Sequence, residues 1–351
     1  MTPRLSAIVV AFGKEALLAE CLRSLDAALR EVPGETEAIV VLNRLSREGR
    51  KALDRSGREL VLVDPGRNLG FAGGVAAGLE RASGEWIALL NDDCVAEPQA
   101  LAELLAAGDA SRKIGSVAAQ IRFAGHREGT INSAGLEIDD LGVAYDRLLG
   151  ESMAAGDDQI VEVFGASAGA ALYRRAMLDD VGSFDTSFFA YVEDADLAWR
   201  ARMNGWRALY APRAVVYHHH SATLGHRSSR KYYLVGRNRV RMLAKNATRA
   251  QLLRRGLHIV LYDLAYVALV GARQRTLAPL RGRLIGLREW RSYRASAGTF
   301  RRTVPLAPTL GIRGALSRDR AYRQASAGAS DAAARTYTPQ KPDDIQGRTA
   351  S

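Results

Sequence analysis

The chain has 351 residues, 47% hydrophobic and 25% charged, the make-up of a globular protein with a sizeable buried core and not of a disordered or fibrous one. Its two cysteines, Cys21 and Cys94, have no partner at metal-ligand spacing, which argues against a disulfide framework and fits a reducing compartment. The net charge of +11 hides a division, because residues 227–351 carry +20 and residues 1–226 carry −9. An acidic body with a basic C-terminal part suggests a polyanionic partner, either anionic lipid or nucleic acid.

The opening MTPRLSAIVVAFGKE reads as a first strand over Ser6–Phe12 and not as a signal peptide. Glu15–Arg30 follows as an amphipathic helix, with Leu17, Leu18, Cys21, Leu22 and Leu25 on one side. Strands are expected at Ala38–Leu42, Leu60–Val63, Trp86–Leu90 and Val117–Ile121, and helices at Phe71–Ala82 and Pro98–Ala107. Apolar runs alternating with helices predict an α/β fold with a mostly parallel sheet covered on both faces. In such sheets ligands bind beyond the carboxyl ends of the strands.

Three strand ends carry chemistry. Asn43-Arg44 offers an amide and a guanidinium. Asn68-Leu69-Gly70-Phe71-Ala72-Gly73-Gly74 opens a helix with glycines, which lets backbone approach an anionic ligand closely. Asn91-Asp92-Asp93 puts two carboxylates at the tip of an apolar strand, a donor set for a hard cation such as Mg²⁺ or Mn²⁺.

Further along, Glu193, Asp194 and Asp196 crowd the head of a helical pattern that ends at Asn204-Gly205. One acid there would serve the helix dipole, and three exceed that need. Asp194 is rotated away from Glu193 and Asp196, so the three should not share one job. A short strand, Ala214–Tyr217, leads to His218-His219-His220, of which at most two can face one site.

NLGFAGG, LLNDDC and FFAYVEDADLAWRARMNGW…YAPRAVVYHHH, in this order, resemble glycosyltransferase family 2 from Leu5 to about Asn246, with rhamnosyltransferase-like enzymes of bacterial cell-surface polysaccharide as the nearest subgroup. The resemblance implies a GT-A fold over residues 1–226, with a donor half to about 121 and an acceptor half from 122. It also implies a metal-dependent, inverting enzyme that uses a nucleotide-sugar donor such as dTDP-rhamnose and a glycan or polyprenyl-linked acceptor. Residue by residue, it assigns Asp93 and His218 to the metal and Asp194 to the general base. Glu193, Asp196 and Arg200 are expected to orient the acceptor or position the helix, with an Arg200–Asp196 salt bridge as the alternative for Arg200. Phe12, Asn43, Asn68, Gly70, Phe71, Gly73, Asn91 and Asp92 are expected at the donor. His219 and His220 are expected to be solvated or on the acceptor side. The chain departs from the family where Asn43-Arg44 replaces Asp-Asn, which removes charge assistance toward the base, and where Ala76 replaces Asn.

Arg122–Val163 is polar and turn-rich and resembles the family's insertion between the donor and acceptor pockets, followed by a small-residue strand over Phe164–Tyr173. Ser228–Asn246 reads as a basic helix. Leu257–Val270 is a 14-residue apolar run, too short to span a bilayer and readable as an interfacial helix or as the core helix of a C-terminal subdomain. Residues 227–325 therefore form a basic helical region, with disorder expected from Ser326. A cytoplasmic enzyme, peripheral at the inner face of the membrane, is the expected location. Two rival readings are a nucleotide-sugar-binding protein without turnover and a nucleic-acid-binding protein acting through the tail. The second is weakened by the acidic body and by aromatics on no recognisable platform.

Overall fold

The computed structural model describes residues 2–12, 15–124, 129–153, 158–219, 228–295 and 303–309; His220 and the tail from Ser326 lie outside them. The elements run β1 (Leu5–Ala11), α1 (Glu15–Arg30), β2 (Thr36–Leu42), α2 (Arg47–Arg50), β3 (Val61–Val63), α3 (Gly70–Leu79), β4 (Trp86–Asn91), β5 (Cys94–Ala96), α4 (Ala100–Asp109) and β6 (Ile114–Phe123). They continue β7 (Ile131–Ser133), β8 (Leu136–Ile138), β9 (Ala144–Asp146), β10 (Val161–Val163), β11 (Ala170–Arg174), α5 (Arg175–Val181), α6 (Glu193–Met203) and β12 (Arg207–His218). Four helices close the order: α7 (Ser229–Asn246), α8 (Arg249–Gln274), α9 (Ala278–Arg288) and α10 (Trp290–Ala295).

The central sheet has the order β10-β12-β6-β11-β4-β1-β2-β3, with β5 added to β12 and β7 to β6. Pairs β1–β2, β1–β4, β2–β3 and β6–β12 are parallel, as alternating strands and helices require. β11 runs antiparallel between β4 and β6, because it is entered from the loop after β10 and not through a helical crossover. The sheet is thus parallel in its first half and mixed in its second.

Period-two alternation sorts the strand residues between two layers. Val9, Val40 and Leu90 pack with Leu18, Leu22, Leu25, Leu101 and Leu104 of α1 and α4. Ile8, Val10, Ile39 and Val41 pack on the other face with Val75, Leu178 and Leu197 of α3, α5 and α6. Cys21 and Cys94 are buried free thiols.

Two strand expectations need correction. The short strand at Ala214–Tyr217 is the end of the 12-residue β12, which shifts register between Ala211 and Val215 around Pro212. Proline cannot donate to a ladder, so the run reads as broken in sequence while the strand continues. Of Phe164–Tyr173, only the second half is strand, as part of β11, and the first half is the loop that brings Ala168 to the site.

In the C-terminal region, α7 shares a core with α6: Met242, Leu243, Ala247 and Ile259 pack with Phe164, Phe188 and Trp199. α9 lies close on α7, where a Cβ at Gly282 would come 2.1 Å from the Tyr233 carbonyl oxygen. Much of the basic character is structural. Buried Arg239 and Arg283 share Asp263, and buried Arg241 pairs with Glu289.

The apolar run at 257–270 belongs to a helix of 26 residues, long and apolar enough to cross a membrane by length and composition. The expectation that it is too short is corrected, because Arg249–Gly256 and Gly271–Gln274 extend the helix at both ends. A core helix is also excluded, since Ile259 is the one residue of α8 that is buried among those described.

Candidate active site

A cavity of about 450 Å³ opens at the carboxyl ends of β1, β2, β4 and β12, a volume that suits a small ligand. Both Asp93 and Asp194 line it.

On the donor side, Asn43 is buried, its Oδ1 accepting the Leu69 N–H at 2.7 Å and its Nδ2 donating to the Gly70 carbonyl at 3.1 Å. The amide ties the end of β2 to the loop before α3. A carboxylate could not donate to that carbonyl, which gives Asn at this position a local reason. Asn68 Oδ1 accepts the Gly70 N–H at 2.8 Å. Gly70 has φ of +73°, and a Cβ there would lie 2.3 Å from the Phe189 carbonyl oxygen, so only glycine fits. Phe12, Asn68, Gly70, Phe71 and Asn91 all reach the wall. Gly73 does not: a Cβ there would meet the Leu69 Cβ at 2.8 Å, so its smallness serves packing of the helix start and not a ligand.

Asp92 and Asp93 point differently. Asp92 Oδ2 accepts the Phe12 N–H at 2.7 Å and locks β4 to β1. Asp93 faces His218, with Oδ1 3.1 Å from Nε2. The antiparallel register of β12 on β5 places His218 opposite Cys94, and the His219 N–H donates to the Asp93 carbonyl. Burial alone would raise the Asp93 carboxyl, but the facing His218 holds it below the usual range. His219 turns to the other side of the strand, 3.6 Å from Glu20, as alternation requires.

Donor atoms of Asp93, Cys94 and His218 lie within 4.8 Å of one another. The Cys94 thiol is buried and donates to the Gly169 carbonyl, whereas carboxylate and imidazole suit a hard divalent cation. His218 Nδ1 sits 2.8 Å from Asn132 Oδ1, the outer partner that turns Nε2 toward Asp93. The residues therefore fit such an ion.

The acidic wall is held under strain. Phe189, Tyr191 and Val192 all have φ near +70°, a region that costs a non-glycine residue on the order of 1–3 kcal/mol. Buried Asn238 of α7 donates to the carbonyls of Phe188, Ala190 and Tyr191, and Arg241 donates to that of Ser187. α7 thus clamps the turn that delivers Glu193 and Asp194. Asn238→Asp removes the donor and aims a carboxylate at three carbonyls. It is expected to lower stability by about 1–3 kcal/mol and to reduce turnover, and thermal unfolding with an initial-rate assay will read both.

Asp194 accepts backbone N–H groups from Ala168 at 3.2 Å and Ala195 at 2.8 Å. Burial still raises its carboxyl above the usual range. Burial and the neighbouring Asp194 push Glu193 up to about 8. Glu193 Oε2 is buried without a hydrogen-bond partner among the described residues.

Asp196 and Arg200 are not on the cavity wall, which corrects the acceptor-orienting alternative for both. Asp196 is fully buried and accepts from Arg200 Nε at 2.9 Å, Lys245 Nζ at 3.0 Å and Asn246 Nδ2 at 2.7 Å. Arg200 spends its other N–H groups on the carbonyls of Val181, Gly182 and Ser183. Asp196 lies two positions from Asp194, on the opposite side of the helix, and faces α7.

Four lining residues carry no clear sequence signal: Asn132, Asp146, Tyr191 and Lys231. Burial raises Asp146 to about 6, and burial lowers Lys231 to about 8 against the pull of Asp146. Lys231 sits in the first turn of α7 and shares its cavity-facing side with Val235, a spacing visible in the basic helix only once the helix is docked.

Comparison with known proteins agrees with this architecture. A family described as "Glycosyltransferase like family 2" matches residues 3–233. A curated relative from Mycobacterium tuberculosis, "N-acetylglucosaminyl-diphospho-decaprenol L-rhamnosyltransferase", is 43% identical over 54 residues, 15% of this chain and 18% of its own length. "Uncharacterized protein y4gI" of Sinorhizobium fredii is 29% identical over 181 residues, 50% of this chain and 20% of its own. The matched segments thus span about a fifth of either relative. Among solved structures, GalNAc-T7 with UDP, GalNAc and Mn²⁺ superposes with a TM-score of 0.53 at 14% identity, over 70% of this chain and 48% of that one, a likeness of fold. With the family match extending over well more than half of its length, this chain belongs to the glycosyltransferase-like family 2 and carries the GT-A fold.

Proposed function

We propose that the protein transfers a sugar from a nucleoside-diphosphate donor to the hydroxyl of a glycan or polyprenyl-linked acceptor, with inversion at the anomeric carbon and with rhamnose as the favoured sugar. The observation that carries this reading is that the Asp93–His218 pair and Asp194 look into one cavity. The relative named as a rhamnosyltransferase acting on a diphospho-decaprenol substrate supports the sugar and the acceptor class.

Asp93 and His218 would hold Mg²⁺ or Mn²⁺, and GalNAc-T7 was crystallised with Mn²⁺. When bound, the ion supplies positive charge against the leaving diphosphate. The chain does the rest. Asn43, Asn68 and Gly70 hold the donor loop in shape. Asp194 keeps lone pairs beyond its two backbone bonds and takes the acceptor proton as the hydroxyl attacks. Burial raises its basicity toward neutral pH. Glu193, held neutral beside it, leaves one ionised carboxylate for that step.

Thermal unfolding against a panel of nucleotide sugars, with and without Mn²⁺, tests the reading. A donor at ~100 times its Kd adds about 2.7 kcal/mol, so Tm should rise by several degrees with Mn²⁺ and much less without it. Asp93→Asn should remove the Mn²⁺ dependence. No shift with any nucleotide sugar overturns the proposal, and a shift without any product formation converts it to donor binding alone.

A further inference from the structure

The apolar side of α8 is organised. Leu253, Leu257, Val260, Leu261 and Leu264 follow helical spacing on one stripe, and all are exposed, Leu253 at 87% and Leu257 at 70%. Leu277 at the corner and Leu284 and Leu287 of α9, all exposed, continue the surface. Exposed arginines lie along it: Arg249 and Arg254 on α8, Arg275 at the corner, Arg281 and Arg288 on α9. Isolated surface leucines are ordinary, but a run of this extent on two neighbouring helices marks a contact surface.

We infer that the outer face of α8 and α9 is a docking surface for an anionic lipid bilayer, on which α8 lies in the plane and does not span. Charge selects the lipid over a second copy of this chain. A self-paired face would bring two sets of arginines together, whereas an anionic headgroup layer neutralises them while the leucines enter the acyl boundary. The inner face of α8 selects the in-plane orientation. Asp263 Oδ1 accepts from Arg239 at 2.9 Å and from Arg283 at 2.8–2.9 Å, and Ile259 and Tyr262 pack into the core shared with α7. Crossing the bilayer would strip α8 from that core and put Asp263 in hydrocarbon. The surface also adjoins the cavity. Ser229 Oγ and Thr276 Oγ1 are 3.1 Å apart, which joins the α8–α9 corner to the first turn of α7, two residues before the cavity-lining Lys231. A bilayer seated on this face would hold the site beside its surface.

The test uses the full chain with vesicles of phosphatidylcholine alone or mixed with phosphatidylglycerol. The protein should sediment with the mixed vesicles and far less with the neutral ones. Leu257→Glu with Leu264→Glu should weaken binding at least ~tenfold, since both side chains are exposed and two charges oppose acyl burial. Arg281→Gln with Arg288→Gln should weaken binding to the mixed vesicles only, by roughly fivefold for each charge. An unchanged donor-dependent thermal shift in both variants will show that fold and donor site survive, separating this proposal from the catalytic one. Alkaline carbonate should release the protein from cell membranes. Sedimentation with neither vesicle, a solution dimer abolished by the leucine variant, or resistance to carbonate each overturns the inference.

Discussion

Asp194→Asn is expected to lower kcat by ~10²–10⁴, the usual share of a positioned general base, while the nucleotide-sugar thermal shift stays close to that of the parent. The substitution keeps size and an oxygen for one of the two backbone N–H groups, from Ala168 and Ala195, so the wall should hold its shape. Glu193→Gln is the matched control. Burial and Asp194 keep Glu193 protonated at neutral pH, and an amide mimics a neutral carboxyl, so activity at pH 7 should stay within a few-fold. In the parent enzyme, the rate should fall on the acid side at a pH above that of an ordinary aspartate, because Asp194 must be ionised and burial raises it. Stability has its own sign. Glu193 ionises near 4.3 when unfolded and only near 8 when folded, so the unfolded state sheds its proton first. Native stability is therefore lost as pH rises through that window, and Glu193→Gln should gain in Tm over the parent between pH 5 and pH 8. Near-normal turnover by Asp194→Asn, or a deeper loss in Glu193→Gln, would reassign the base.

Asp196→Ala should cost about 3–5 kcal/mol of stability, the usual consequence of removing one partner of a buried ion pair. The carboxylate is fully buried. Burial by itself would raise it, and Arg200 and Lys245 more than offset that, with Asn246 adding a hydrogen bond. Without it, Arg200 loses its carboxylate partner and Lys245 keeps only Asp185. At roughly 2–4 °C per kcal/mol for a domain of this size, Tm should fall by about 10 °C, and chemical denaturation will give the free energy. Any protein that remains folded should still show the donor shift. An unchanged Tm with lost turnover would return Asp196 to the acceptor role expected from its sequence position. Asp194 and Asp196 share one helix turn, yet the first is read by kinetics and the second by unfolding.

The alternation of apolar runs and helices sufficed for the parallel half of the sheet, because local burial on both faces leaves a direct imprint on composition. Asn43, the NLGFAGG turn, Asp93 and Asp194 were legible because strand ends and helix starts expose chemistry at points a sequence pattern can locate. The antiparallel insertion of β11, the register that sets His218 opposite Cys94, and the bulge that carries β12 past Pro212 were not legible, since pairing partners are chosen across the chain.

The sequence by itself determined the fold class, the acidic body with its basic end, and the strand tips that line the cavity, because these follow from periodicity and local charge. Tertiary structure alone decided that Glu193 joins Asp194 on the cavity wall while Asp196 is locked to α7. It also brought Lys231 and Asp146 to the wall, and turned an apolar segment read as short into one exposed stripe of a longer helix. Those outcomes depend on how α7, α8 and α9 dock, and docking is set by contacts between residues distant in the chain, which no local pattern encodes.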